Sequence, residues 1–530
     1  MRAVPISLLA LLGAGVNAQE AFESTSFNIT EALIANGVDV LAIPELSTLI
    51  EKRSLSSPCN IACSSLKLLQ GKKVLVAGTD YDAFTGSYWS TQASLVNPQC
   101  VFKPTKALDV STVVLLSRLT QCPFAVKGGG HTAFPGASSI EGGITIALEN
   151  MNEITLSKDK KTAAIGPGNR WGAVYSKLGE SGLAVVGGRA SDVGTGLILG
   201  GGISHHSNIY GFACDNIVSF EVVTASGIIL EVTQSKFPDL YWALRGGGNN
   251  FGIVTKFNME TVAQGQIWGG TRVHLPTDYP KLIEAFATVV ESAPKDPKAV
   301  QILSFAVTAG NPAAQLQLEY LQPVDESNPP DILKGYLSIP SIKAATINRT
   351  LADDTDMLDA QMPPGHRYSF WSGTFKLDRD FMAWMQALHQ KNVGPLPKQG
   401  SLTFQAFTVP ALTQTSKKGG NALGLSPADG PLMHILLYMV WEDEAEDAKL
   451  NSAASEFMNT VKAEAKARGL YNRYIYLNYA GPYQNVIPSY GQANLARLKS
   501  VAKKYDPQAV FQKLQPGGYK LEGAPYGEVV

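Results

Sequence analysis

An α+β fold in more than one structural unit is predicted by three observations. The chain has 530 residues, too many for one compact core, and a prior of roughly 150 residues per domain suggests two to four units. From about Leu69, short apolar runs alternate with glycine turns and with stretches of helical spacing. After about Thr261 the glycine clusters stop, and longer helical stretches alternate with strand-like runs until about Arg468, which reads as a second domain.

Taken in order, the first segment reads as an address. Arg2 precedes an apolar stretch from Ile6 to Val16, and the small residues of Val16-Asn-Ala18 suit cleavage after Ala18. The stretch is too short to span a bilayer, so a secreted protein with no membrane partner is expected. Two sequons, Asn28-Ile-Thr30 and Asn348-Arg-Thr350, would then carry glycans. Strands are expected at Lys73–Ala77, Phe124–Val126, Ile144–Leu148 and Ala163–Ile165. Ile217–Thr224 and Ile228–Thr233 flank Ala225-Ser-Gly227, a hairpin signal, and Leu108–Leu119 and Trp171–Gly179 carry helical spacing. In the second part, helices are expected at Tyr279–Val290, Arg379–Lys391 and Glu444–Arg468, and strands at Ser401–Val409 and Met433–Val440. The last stretch offers a strand at Tyr474–Tyr479 and a helix over Tyr490–Tyr505, which Asp506-Pro507 closes. The expected divisions are 1–18, 19–93, 94–266, 267–470 and 471–530.

A charged fraction of 17% and a net charge of -1 call for neither nucleic acid nor an anionic membrane; a small molecule is the expected partner, and a monomer the expected state. Five cysteines in an oxidising compartment allow two bridges, with Cys214 the candidate for the odd thiol. Cys59-x-x-x-Cys63 lacks the further ligands of a zinc site, and no metal is expected.

Four glycine clusters carry the chemistry: Lys127–Ser139, Gly166–Gly172, Gly187–Asn208 and Arg245–Val254. Glycine lets main-chain amides approach a ligand closely, and successive N–H groups form a nest suited to a pyrophosphate. Gly166–Gly172 has one residue too many for a dinucleotide fingerprint and a proline in the turn, and no glycine loop ends in Gly-Lys-Ser/Thr. His131 follows three glycines directly, which sets an imidazole on a loop that already approaches the ligand.

These segments resemble the oxygen-dependent FAD-linked oxidoreductases with a vanillyl-alcohol-oxidase (VAO, PCMH-type) FAD domain, the group that includes berberine bridge enzyme. The resemblance covers about Cys59 to Val262 and again Tyr476 to Gln515. It implies a two-part FAD-binding domain, completed by the C-terminal segment, plus a substrate domain with an antiparallel sheet flanked by helices. It implies FAD bonded to His131, with Lys127, Gly128, Gly129, Gly130, Thr132, Val193, Gly194, Thr195, Gly196, Gly200, Gly201 and Gly202 cradling the pyrophosphate and Gly252, Ile253 and Val254 lining the cofactor path. Many relatives attach a second bond through a cysteine where this chain reads Ala190, so a single link is expected. Val193 stands where oxygen-reactive relatives often carry a small residue, which favours molecular oxygen as acceptor.

Tyr476-Leu-Asn-Tyr479 resembles the family's Tyr-x-Asn-Tyr segment, which implies Asn478 on the flavin and Tyr476 or Tyr479 acting on substrate; a packed core tyrosine is the alternative. Strand alternation would put Tyr476 and Asn478 on one face and Tyr479 on the other. His205 and His206 could face the substrate, or one could bond to backbone with the other exposed. Gln405, His434 and Tyr438 are candidate pocket lining. The expected activity is oxidation of a small, largely apolar natural product by hydride transfer to FAD, with oxygen giving hydrogen peroxide. The alternatives are an oxidative cyclase of secondary metabolism, a carbohydrate oxidase, or a non-catalytic glycoprotein on a flavin fold.

Overall fold

The computed structural model describes residues 22–50, 57–308, 310–396, 399–527 and 529. The leader expected over 1–18 lies outside the described residues. Among them, no helix is long and apolar enough to cross a membrane.

The chain opens on helices that pin the first sheet. Pro58–Gln70 starts on Ser57, whose hydroxyl accepts from the Asn60 amide, with Pro58 at the first helical position. Cys59 and Cys63 stand one turn apart on this helix and so share a face. They bond to Cys122 and Cys100 respectively, and Cys214 remains as a buried free thiol. Two bridges with Cys214 left over match the expectation from the cysteine count. The first sheet has the order Val74–Leu75, Cys100–Phe102, Ile144–Ala147, Phe124–Lys127, its last three strands parallel. Its first strand is shorter than the expected Lys73–Ala77.

The second sheet is antiparallel and centres on Ile253–Ala263, which pairs with Thr162–Ile165 on one side and with Ile217–Val223 on the other. Ile217–Val223 turns back into Ile229–Thr233 as the expected hairpin, closed by the Thr224 amide donating to the Ile228 carbonyl.

The third sheet has nine antiparallel strands, with Asn311–Tyr320, Ala299–Thr308, Gln399–Phe407, Leu432–Trp441 and Arg367–Lys376 adjacent in that order. Alternation gives it two faces. Leu303, Phe305, Leu316, Leu318, Leu402, Phe404, Ile435 and Leu437 point to one side, where they form a core with the helices Tyr279–Ser292, Arg379–Asn392 and Asp447–Ala467. Their neighbours point back toward the glycine-rich part and build the site.

One expected element is absent. Tyr474–Tyr479 forms no strand: Tyr471–Asn472 pairs briefly with Arg367–Lys376, and Leu477–Tyr479 is a 3₁₀ turn. Side chains take the amides a ladder would have used, since Asn472 Oδ1, Ser489 Oγ and Ser372 Oγ accept from the amides of Tyr474, Ile475 and Tyr476. The helix expected over Tyr490–Tyr505 runs Gln492–Tyr505, because Gly491 at φ 98° breaks it, and a short helix Val510–Lys513 follows.

Candidate functional site

A cavity of about 520 Å³ runs from the glycine clusters to the large sheet. One half is main chain. The loop after Phe124–Lys127 contributes Gly128 to Thr132, the third cluster contributes Val193, Gly194, Gly196 and Gly200, and Gly252, Ile253 and Val254 close the far side. Two of these loops touch backbone to backbone: a Cβ on Gly129 would lie 2.6 Å from the Gly194 nitrogen. No side chain fits there, so the cradle requires glycine at both positions.

The expected cradle is not lined throughout. Lys127 is buried beneath it, its ammonium over the Phe84 and Tyr88 rings, and burial lowers its pKa to about 8. Thr195 turns away to donate to the Pro167 carbonyl. Gly201 and Gly202, at φ 104° and 86°, make the bend that returns the chain and do not reach the cavity wall.

His131 lines the cavity beside the glycine cradle. Its ring stacks on Trp89 with centroids 4.3 Å apart, and Trp89 stacks in turn on Tyr368 at 3.8 Å. The Trp89 indole N–H donates to the Met362 carbonyl, which fixes the middle ring. Burial lowers the His131 pKa to about 4, so the imidazole is neutral and nucleophilic at physiological pH. Its Nε2 is buried without a hydrogen-bond partner, as are Ser138 Oγ, Gln317 Nε2 and Gln515 Oε1 around the same cavity. Four unpartnered polar atoms around one cavity call for a polar occupant. With the tight glycine loops, they fit a large flat cofactor with a phosphate-bearing arm.

The other half is sheet. Ser304, Gln315, Gln317, Ser401, Thr403 and Gln405 line it, with Tyr438 beside them. Ile302, Ala306, Phe370 and Leu436 stand between them, so the polar groups are set into a wall that is largely apolar. Where the halves meet, Arg189 is buried, and one of its terminal nitrogens donates to Gln405 Oε1 and, at 2.8 Å, to the Tyr479 hydroxyl. Sequence reasoning missed Arg189, although it adjoins Ala190 in the third cluster. Trp89 carried no local signal.

The C-terminal segment divides its roles. The Tyr476 hydroxyl accepts from the Ile203 amide and from Asn478 Nδ2, both at 2.9 Å, and burial raises its pKa. It therefore anchors the third cluster rather than offering a base. Asn478 also donates to the Leu197 carbonyl and sits against Gly200. Tyr479 is left with its hydroxyl on the cavity and on Arg189.

The three candidate histidines, His434, His206 and His205, lie outside the cavity lining. His434 lies behind Tyr479, stacked on it and on Phe407, with its pKa lowered to about 3 by burial. His206 is buried against Gln264 Oε1. His205 is also fully buried, so neither member of the pair is exposed. It stands between Glu319 and Asp354, the former 3.9 Å from Nδ1 and the latter 3.6 Å from Nε2. Burial drives His205 well below its ordinary range, and burial with the neighbouring Asp354 drives Glu319 well above its own.

A cradle of close-packed glycine loops with an unpartnered histidine on it, facing a sheet that sets amide and hydroxyl groups into an apolar wall, suits a cofactor-dependent enzyme. A family model described as an FAD binding domain matches residues 98–233. An FAD-dependent monooxygenase of Fusarium proliferatum is 37% identical, over 88% of this chain and 93% of its own. The bifunctional solanapyrone synthase of Alternaria solani is 31% identical, over 80% and 82%. The crystal structure of 6-hydroxy-D-nicotine oxidase from Arthrobacter nicotinovorans superposes with a TM-score of 0.71 at 21% identity, covering 85% of this chain and 98% of that one. The chain belongs to the FAD-linked oxidoreductases with the VAO/PCMH-type FAD-binding fold.

Proposed function

We propose that the protein is a secreted FAD-dependent oxidase that takes a hydride from a small, oxygen-bearing natural product and passes the electrons to molecular oxygen, releasing hydrogen peroxide. FAD, held through His131 alone, would supply the two-electron oxidation and the reaction with oxygen. The observation that carries the reading is Tyr479, set by Arg189 and Gln405 where the glycine cradle meets the polar roof.

The residues of the chain divide the remaining work. Arg189 donates to the Tyr479 hydroxyl oxygen and so fixes the phenol on the cavity, where it can exchange a proton with a substrate hydroxyl. Gln317 Nε2 and the Gln405 carboxamide orient oxygen atoms of the substrate, and the packed sheet excludes water. Ala190 on the cavity wall supports a single covalent link, since no thiol stands there. Asn28 and Asn348 are both exposed and suit glycan attachment. Asn348 Nδ2 donates to the Val324 carbonyl, so a glycan there would compete with that bond.

The Fusarium relative's name favours a second reading, insertion of one oxygen atom into the substrate. Turnover under ¹⁸O₂ with a panel of oxygenated natural products tests both. Label in peroxide with none in the product supports the oxidase, label in the product supports the monooxygenase, and no oxygen uptake with any compound refutes both.

A further inference from the structure

The strand Asn311–Tyr320 sends Gln315, Gln317 and Glu319 to the same side of the sheet. The first two enter the cavity, and the third enters a closed space behind it. There Glu319 meets His205, from the end of the third glycine cluster, and Asp354, from the helix Leu351–Asp359, whose next turn carries Leu358 into the cavity. All three residues are 0% exposed. Both ring nitrogens of His205 and all four carboxylate oxygens lack a hydrogen-bond partner. One ligand atom from each residue lies within 4.8 Å of the others.

Six unpartnered polar atoms meeting in one dry space is an arrangement folding avoids unless something joins them. The nearby arginines do not. Arg349 Nε is 3.9 Å from Asp354 Oδ1, but its terminal nitrogens face Met357 Sδ and donate to the Gly269 and Ala345 carbonyls. Arg189 is directed to Gln405 and Tyr479. The Arg189 main chain approaches His205 and the Gln317 carboxamide approaches Glu319 as loose hydrogen-bond partners, and neither reaches Asp354. An imidazole nitrogen and two carboxylate oxygens are ligands for a first-row divalent ion. Ligand atoms about 2.1 Å from a shared ion lie at most about 4.2 Å apart, so His205 Nε2 and Asp354 Oδ2, 3.6 Å apart, stand at ligand spacing, while Glu319, nearest the other ring nitrogen at 3.9 Å, must close in to complete the set.

We propose that His205, Glu319 and Asp354 form a buried structural site for a divalent first-row metal ion, Zn²⁺ or Mn²⁺. The ion ties the third glycine cluster to the roof strand and to the helix beside the cavity, and so holds the cofactor cradle against the substrate wall. This role is independent of the reaction catalysed, and its test needs no substrate.

Elemental analysis of the full secreted chain, purified without chelators, should find near one equivalent of zinc or manganese. Chelation should lower its Tm, and Zn²⁺ or Mn²⁺ should restore it where Mg²⁺ does not. The double substitution E319Q/D354N removes both charges at nearly unchanged shape and should reduce the metal to background. X-ray absorption at the metal edge of the wild type should show one imidazole with oxygen ligands, a readout that stands even if the variant does not fold. Background metal in the wild type before and after dialysis against both ions overturns the proposal. Undiminished metal in the double variant, or a coordination shell without imidazole, overturns it too.

Discussion

Replacing Gly129 by alanine tests whether the cradle depends on backbone contact. The new Cβ would sit 2.6 Å from the Gly194 nitrogen and 2.7 Å from its Cα, and in the reciprocal Gly194→Ala it would sit 2.4 Å from the Gly129 nitrogen. These are main-chain atoms and cannot rotate aside, so the loops must separate. Inserting one carbon into a packed contact costs about 1–3 kcal/mol, and this contact belongs at the upper end. Gly196 lies on the same wall with nothing within 4 Å of its would-be Cβ. Gly196→Ala should therefore keep its stability, or gain about 0.4–1 kcal/mol from a stiffer unfolded chain. Thermal unfolding and the flavin-to-protein absorbance ratio read the effect. Gly129→Ala and Gly194→Ala should each lose several degrees of Tm and most of their flavin. The double variant should lose less than the sum, because one separation accommodates both carbons. If both single variants behave like Gly196→Ala, the contact does not hold the cradle.

Three further outcomes are expected. Tyr479→Phe should lower kcat by about 10²–10⁴ with little change in KM if the phenol is the base, and Arg189→Met by about 10–100, the value of one charge-assisted hydrogen bond; oxygen-uptake kinetics on a turned-over substrate measures both. Burial holds His131 neutral down to about pH 4, so the rate at which apoprotein binds FAD covalently should stay level as pH falls to roughly 5 and decline only below it; a decline already near 6.5, where an unburied histidine titrates, would contradict that placement. Reducing the bridges Cys59–Cys122 and Cys63–Cys100, which close 63 and 37 residues, should destabilise the fold by about 4 kcal/mol each in the chain-entropy account, seen as a lower denaturation midpoint in dithiothreitol.

The sequence made legible what local pattern decides. The hairpin of Ile217–Val223 and Ile229–Thr233 follows from alternation around Ala225-Ser-Gly227, and the helix Trp171–Gly179 from its spacing. The cradle was legible through its glycines, because close approach leaves glycine as the only choice. What stayed hidden depends on partners distant in sequence. Tyr474–Tyr479 reads as a strand until Ser372 and Ser489 take its amides. For His205 and His206 the sequence left open facing the substrate or one bonded to backbone with the other exposed, and neither reading holds once the large sheet brings Glu319, 114 positions further along the chain, to cover the first of them. Arg189 gains meaning only when Gln405 and Tyr479 arrive from two other elements.

Acid precipitation of the purified protein tests most directly whether His131 is the single attachment point for FAD. The wild-type pellet should stay yellow with one flavin per chain, digestion should place the flavin on the peptide containing His131, and His131→Ala should give a colourless pellet. A colourless wild-type pellet, or a yellow one from His131→Ala, would contradict the account.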